Sequence, residues 1–408
     1  MLSLHLVIIV YGNAIENGAT NTNSYISSAP VTMVDGRDVI LHNFQDHAGH
    51  AIDDPWIEKP HGGTNASVDG AEVVWADAAD LVHSPSITHV GGEGFLDFEV
   101  TAADIQSGNA VVAVTKGSGA SKTVLWSWHL WFAPKDALDK IKVTNHQNVN
   151  YYFTKEALGW KPTLWSGTTY DKPRTVKVKV EQTVANRGTK QAAVINITQN
   201  PGSKKEGATT LYQFGRKDAF PGTDTTPDGS FNKNGGDIMS VTNGIQHPET
   251  FYRWGPSWYH GYNRYNLWSM NNTTTGFNDN AVVKTIYDPC PAGFHMPASN
   301  AFTGFTANGQ NSGTMNVDDT DNGYFYSNNF GHNFWTNSTK TATIYFPASG
   351  QRFYGDGSLL LVGAYGYYWS AGPDTTADGC MMLSGSISVA PLGNFTRAYG
   401  LAVRPVSE

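Results

Sequence analysis

Short runs of alternating apolar and polar residues dominate the chain, and few stretches carry the repeat of a helix. From Val176 to Val180, three valines alternate with Lys177 and Lys179. The turn signal Ala185-Asn186-Arg187-Gly188 and the returning run Val194-Ile195-Asn196-Ile197 complete a predicted β-hairpin near 172–200. Between Thr123 and Leu130, Val124, Trp126, Trp128 and Leu130 share one face. Thr123, Ser127 and His129 share the other, the pattern of a half-buried strand. Val73-Val74-Trp75, Phe95 to Val100 and Ala110 to Val114 read as further strands. The apolar run Met1 to Val10 is too short to span a bilayer and lacks the basic segment of a secretion signal, so it also reads as a strand. Helix signals are confined to Asp136–Asp139 and Asn300–Phe302. The run rich in Asn, Ser, Gly and Asp from 306 to 333 reads as a long loop.

These elements predict a mainly β protein with an irregular α+β part. A β-sandwich over 1–135 ends near Pro134, and a second domain over 136–408 carries the inserted hairpin. Composition agrees: 43 Gly and 19 Pro with only 15% charged residues suit turn-rich β domains and argue against coiled coils. The net charge of -8, without a long basic run, argues against nucleic acid as a main partner. No segment suits membrane insertion. Two cysteines, Cys290 and Cys380, cannot form a disulfide framework for 408 residues.

Candidate chemistry is sparse. His42, His47 and His50 cluster without a further ligand in phase. Asn316 to Gly323 imitates a calcium loop but lacks its phase and its closing Glu. No nucleophile elbow, phosphate-binding loop or zinc-protease motif occurs, and no segment nominates a carboxylate pair. The expectation is a non-enzymatic protein with no metal and no cofactor. Aromatics crowd the second half, in Phe251-Tyr252-Arg253-Trp254, Trp258-Tyr259, Tyr262, Tyr265, Trp268, Phe334-Trp335 and Tyr365 to Trp369. They suit core packing or a carbohydrate platform, and their spacing does not separate the two.

The last 58 residues look like a fixed frame with loose contents. The frame opens just upstream with Phe346-Pro347-Ala348-Ser349-Gly350 and continues through Gly357-Ser358-Leu359, Val362-Gly363, Tyr368-Trp369-Ser370, Val389, Pro391 and Arg397 to Val406. Phe353 to Asp356, Leu360-Leu361, Asp374 to Thr376 and Leu392 to Thr396 fill its gaps. A recognition surface needs this division between rigid support and free side chains.

Two family resemblances follow from these residues. Asp288-Pro289-Cys290-Pro291-Ala292-Gly293-Phe294-His295-Met296-Pro297 is similar to a signature of C-type-lectin-like domains in Bacteroidetes surface proteins. Tyr212 to Phe220 resembles its Tyr-Gln-Trp-Gly-Arg-Lys-Asp-Pro-Phe motif, with Phe214 and Ala219 as departures. Ser24 to Pro30 and Trp126 to Trp131 resemble the preceding β-domain of fimbrillin-type proteins. The terminal frame resembles the variable region of proteins of Bacteroidetes or their phages that are diversified by a retroelement. There, a template is copied with errors at adenines, and Asn codons fill the gaps.

The chain agrees with that mechanism. Eight Asn lie in 301–350 but only Asn394 lies in 351–408, and no Lys, Glu or Gln occurs from Phe353 to Gly400. Trp369, Met381 and Met382 cannot arise from a mutated Asn codon, which implies that Trp369 is frame and that the two methionines are fixed or come from another codon. Cys380 can arise from a Tyr codon, which implies a chance variant rather than a partner for Cys290.

The resemblance implies a hypervariable binding face in region 351–408 and a buried frame that includes Tyr368, Trp369 and Val403. Phe353, Tyr354, Tyr365, Tyr367 and Phe395 would be rigid contact groups. Asp356, Asp374, Asp378 and Asn394 would supply hydrogen bonds, Leu360, Leu361 and Leu392 an apolar patch, and Thr375 and Thr396 further gap positions. The implied protein is an adhesin: a receptor- or ligand-recognition protein outside the cell, at a pilus tip on the bacterial surface or on a phage virion. Its partner would be a protein or glycan receptor, with pilus or virion subunits beside it. The alternatives are a calcium-dependent lectin, whose Glu-Pro-Asn and Trp-Asn-Asp motifs are missing here, and a glycan-active enzyme.

Overall fold

The structure, a computed structural model, describes residues 7–9, 33–34, 37–38, 45–50, 57, 68–90, 93–162, 173–185, 187–199, 207–258, 267–269, 274–318, 330–374 and 377–408. The segments Ser24–Pro30 and 319–323, with His42, Tyr259, Tyr262, Tyr265 and Thr375, lie outside the described residues. The architecture is mainly β, with several antiparallel sheets and one short α-helix, Val241–Gln246, among the described residues. Ser240 caps that helix by accepting from the Asn243 amide. No described helix is long and apolar enough to cross a membrane.

The N-terminal half is built on a five-stranded sheet. Its order is Val7–Ile9, Thr123–Ala133, Gly108–Lys116, Gly70–Ala76, Asp228–Gly229, so a strand from the second half completes the edge. The expected half-buried character of 123–130 is corrected: Ser127 and His129 are buried along with Val124, Trp126 and Leu130, and only Thr123 and Trp128 stay half-buried. The face of Ser127 and His129 is covered by the motif segment near 212–218. Ser127 donates to Asp218 (3.2 Å), and the Tyr212 hydroxyl meets His129 Nδ1 (2.9 Å). Trp75 and Trp131 donate their indole N–H groups to the carbonyls of Ala219 and Trp160 (3.0 and 3.1 Å). One apolar core therefore runs from Val68 to Val406 without a break at Pro134.

In the second half, Asn150–Thr154 pairs with Lys140–Thr144 and, on its other side, with Val406–Ser407. Tyr212–Gln213, Gly400–Leu401, Gln351–Arg352 and Leu359–Leu360 form a small four-stranded sheet. Tyr365–Pro373, Asp378–Gly385 and Ser388–Thr396 form a three-stranded sheet. The predicted hairpin is present as Arg174–Glu181 paired with Ala192–Gln199, and every one of those residues is exposed. Three local expectations change. Asp136–Asp139 forms a turn, not a helix. The helical turn expected at 300 starts at Thr303 and is 3-10. The long loop of 306–333 ends early, because Gly331–Trp335 pairs with Thr343–Pro347 as a strand.

Candidate ligand-binding face

The frame of the last 58 residues is held by buried side chains that grip backbone. Arg352 donates to the carbonyls of Pro221 (2.9 and 2.7 Å), Thr223 (2.8 Å) and Gly357 (2.7 Å), and lies over the Phe231 ring at 4.2 Å. Arg404 donates to the carbonyls of Thr154 and Tyr345 (2.8 Å each) and of Lys155, over the Phe346 ring at 4.7 Å. A planar fork with five donors suits this bridging of separate loops. Burial pushes both guanidinium groups down to about 10, which leaves them charged at neutral pH. Trp369 donates to the Tyr212 carbonyl (2.8 Å), and Tyr368 donates to that of Pro347 (2.7 Å). Two frame glycines have backbone reasons. Gly350 (φ 69°) and Gly357 (φ 70°) are left-handed, and a Cβ there would meet the Leu360 and Lys233 carbonyls at 2.4 and 2.3 Å.

The upstream signature motifs do the same work. Arg216, buried, donates to Asp218 and to the carbonyl of Thr250. Burial raises the Asp218 carboxyl, but the pull of Lys217 and Arg216 outweighs it and holds the group below its ordinary range. Asp288 accepts from the amides of Cys290 (2.8 Å) and Met296 (2.9 Å) and from Lys284 (3.0 Å). Phe214, a departure from the motif, stands between Trp268 (4.7 Å) and Trp369 (5.4 Å).

On this support lies a continuous ribbon of seven rings. It runs Trp254, Tyr354, Tyr399, Phe395, Tyr367, Tyr365, with Phe353 against Tyr354 and Tyr399. Successive ring centroids are 6.5, 4.8, 4.5, 5.4 and 5.9 Å apart. Aromatic pairs in this range attract beyond their buried area, so each ring of the ribbon is held by its neighbours. Phe353, Tyr354, Tyr365, Phe395 and Tyr399 are half-buried, and Trp254 is 45% exposed. Tyr367 differs from the expectation of an exposed contact group. It is 4% exposed, lying between Tyr365 and Phe395, and burial pushes its phenol up to about 12.

The structure thus brings five sequence-predicted rings together and adds two. Tyr399 occupies an open place in the frame run Arg397-Ala398-Tyr399-Gly400, a signal that reading the run as fixed passed over. Trp254 gave no signal apart from its aromatic neighbours. It is tied to the gap residues by its amide, which donates to the Tyr354 carbonyl (2.8 Å).

The remaining predicted residues fall into groups. Asp356 is exposed and accepts from the Ser358 amide and hydroxyl, which holds its carboxyl below the ordinary range. Leu360 and Leu361, with Val362, are 41–44% exposed on the turn before Tyr365. Leu361 has φ 63°, an outlier for a bulky residue. Asn394 donates to Asp374 (2.6 Å), while Asp378 pairs with Thr396 across the sheet. Leu392 is half-buried and exchanges two hydrogen bonds with Asn311 (2.9 Å each), away from the rings. Cys380 is fully buried beside Gly372 and Ser299, and it does not pair with Cys290: both cysteines are free thiols. Met381 and Met382 are buried, as are Tyr368, Trp369 and Val403.

A family described as a domain of unknown function, DUF8237, matches residues 330–406. No curated protein and no solved structure gives a match. The DUF8237 segment begins at Phe330, whose carbonyl accepts from the Ala348 amide (2.7 Å), and ends in the strand at Val406. It therefore contains the frame, its gaps and every ring of the ribbon except Trp254.

Proposed function

We propose that this chain is a non-enzymatic recognition protein, an adhesin whose binding face is the aromatic ribbon and the gap residues around it. The observation that carries the reading is the ribbon itself: rings from two strands of one sheet and from the turns beside it, in contact with one another, on a base of buried arginines and tryptophans. Preorganised aromatics give contact area at little entropy cost, as in antibody paratopes. Asp356, Asp374 and Asp378 lie in the same segment, and no Lys occurs from Phe353 to Gly400.

Diversification by a retroelement is part of this proposal. Leu361 supports it. Its left-handed backbone suits Asn, the residue an unmutated template would encode, far better than Leu. In this reading the N-terminal half is a fimbrillin-like sandwich that presents a C-type-lectin-like domain. It does so outside the cell, on a surface fibre or a virion.

The test is retention on panels of bacterial cells and glycans by the intact chain and by a Tyr354→Ser/Phe395→Ser variant. The expected result is loss of retention with an unchanged fold. Retention that is indifferent to the pair, or turnover of the retained glycan, overturns the reading.

A further inference from the structure

The hairpin Arg174–Glu181/Ala192–Gln199 is unlike any other element of the molecule. Its register is unbroken, and in it Val176, Val178 and Val180 stand opposite Ile197, Ile195 and Ala193. Directly opposed residues share a face, so these six make one apolar side. The valines are 61, 39 and 55% exposed and Ile195 and Ile197 are 52 and 56% exposed. The other side carries Lys177 and Lys179 opposite Asn196 and Val194, with Thr175 bonded to Thr198 (2.9 Å). An isolated two-stranded hairpin is marginal in water, and an antiparallel sheet that is apolar on one side ordinarily covers that side. The alternation specifies a buried face, and no described residue buries it.

Charge indicates what covers it. Within 174–199 lie Arg174, Lys177, Lys179, Arg187 and Lys190 against Glu181 alone, a net of +4 in a chain of net -8. The rest of the chain therefore carries -12. A strongly basic element on an acidic body is complementary to another such body.

We propose that this hairpin is an association arm, which lays its Val/Ile face on the body of a second copy of this chain. The contact is heterologous, so it closes into a ring if the rotation between copies allows and extends as a fibre otherwise. The apolar face supplies the attraction, Arg174 on that same face and Arg187 and Lys190 at the turn meet the acidic body, and Lys177 and Lys179 add to the field from the far side.

The test is sedimentation velocity on the full chain at micromolar concentration, for the native protein and for V178D/I195D. Both positions are exposed, so the variant keeps the native melting temperature. If it does not, V178T/I195T gives the same test without added charge. The native chain is expected to sediment as more than a monomer, and the variant as a monomer, with association weakened at least about tenfold. K177E/K179E should weaken association at low salt, and high salt should weaken that of the native chain. A monomeric native chain overturns the proposal. So does an assembly that the Asp or Thr pair leaves intact, or one that salt strengthens, because that places hairpin against hairpin instead of arm against acidic body.

Discussion

Trp369 and Phe395 stand on the two outer strands of one three-stranded sheet, in the same short segment, and their surroundings are opposite. Trp369 is sealed, its indole spent on the Tyr212 carbonyl and its ring against Phe214. Phe395 stays half open, its ring against Tyr367 and Tyr399 of the ribbon at the margin of the core. The difference shows that one strand system can be core on one stretch and presentation surface on the next. The division follows hydrogen bonds to backbone more closely than it follows residue type. Aromatics occur on both sides, but Trp369 is also fixed by its indole N–H to a distant carbonyl, which the phenyl ring of Phe395 cannot do.

The sharpest way to break this contrast is at the sealed side. Trp369→Ala removes a fully buried ring and should cost about 3–5 kcal/mol, read from urea unfolding. A cost near that of an exposed site would mean that the frame is not the support. Arg404→Leu comes next. It strands the carbonyls of Thr154, Lys155 and Tyr345 and should cost about 3 kcal/mol in the same assay.

Acid tests the buried side as a whole. Burial holds His129 at about 3, well below its ordinary 6.5, so the unfolded chain binds a proton that the folded chain refuses. Stability is therefore complete above 6.5 and falls as pH drops toward 3, by about 2 kcal/mol at pH 5. A stability independent of pH between 7 and 5 would show that His129 is not sealed.

The open side should respond weakly. Tyr354→Ser and Phe395→Ser should each cost about 1–2 kcal/mol, because each ring is only half-buried although Tyr354 loses three ring contacts and Phe395 two. The smallest effect has the reverse sign. Leu361→Asn relieves a left-handed Leu and should raise stability by up to about 1 kcal/mol, seen as a small rise in melting temperature. A loss there would mean that the leucine side chain supports the turn.

Legibility in the sequence follows the same line. The hairpin at 174–199 was readable to within two residues, because local alternation alone builds it and no tertiary contact competes. The strand at 123–133 was readable as a strand but not as a buried one. Its polar positions are answered by Asp218 and Tyr212, some ninety residues away, and no local pattern announces such partners. Arg404 was legible only as a member of the frame, and Arg352 was not singled out at all. A cation in a sequence suggests surface, and only the folded chain brings it three carbonyls. Five rings of the ribbon were legible because they fill gaps between frame residues. Trp254 was not, because its place there depends on a turn that meets Tyr354 across the fold.

The arginine pins have one more consequence. Pro221, Thr223, Gly357, Thr154, Lys155 and Tyr345 are all held by their carbonyl oxygens. The carbonyl is the part of a residue that substitution leaves in place. A scaffold fastened this way keeps its shape through atoms that every residue carries, whatever side chain stands at Thr223, Thr154, Lys155 or Tyr345, while Gly357 is also bound to its residue type by a left-handed backbone.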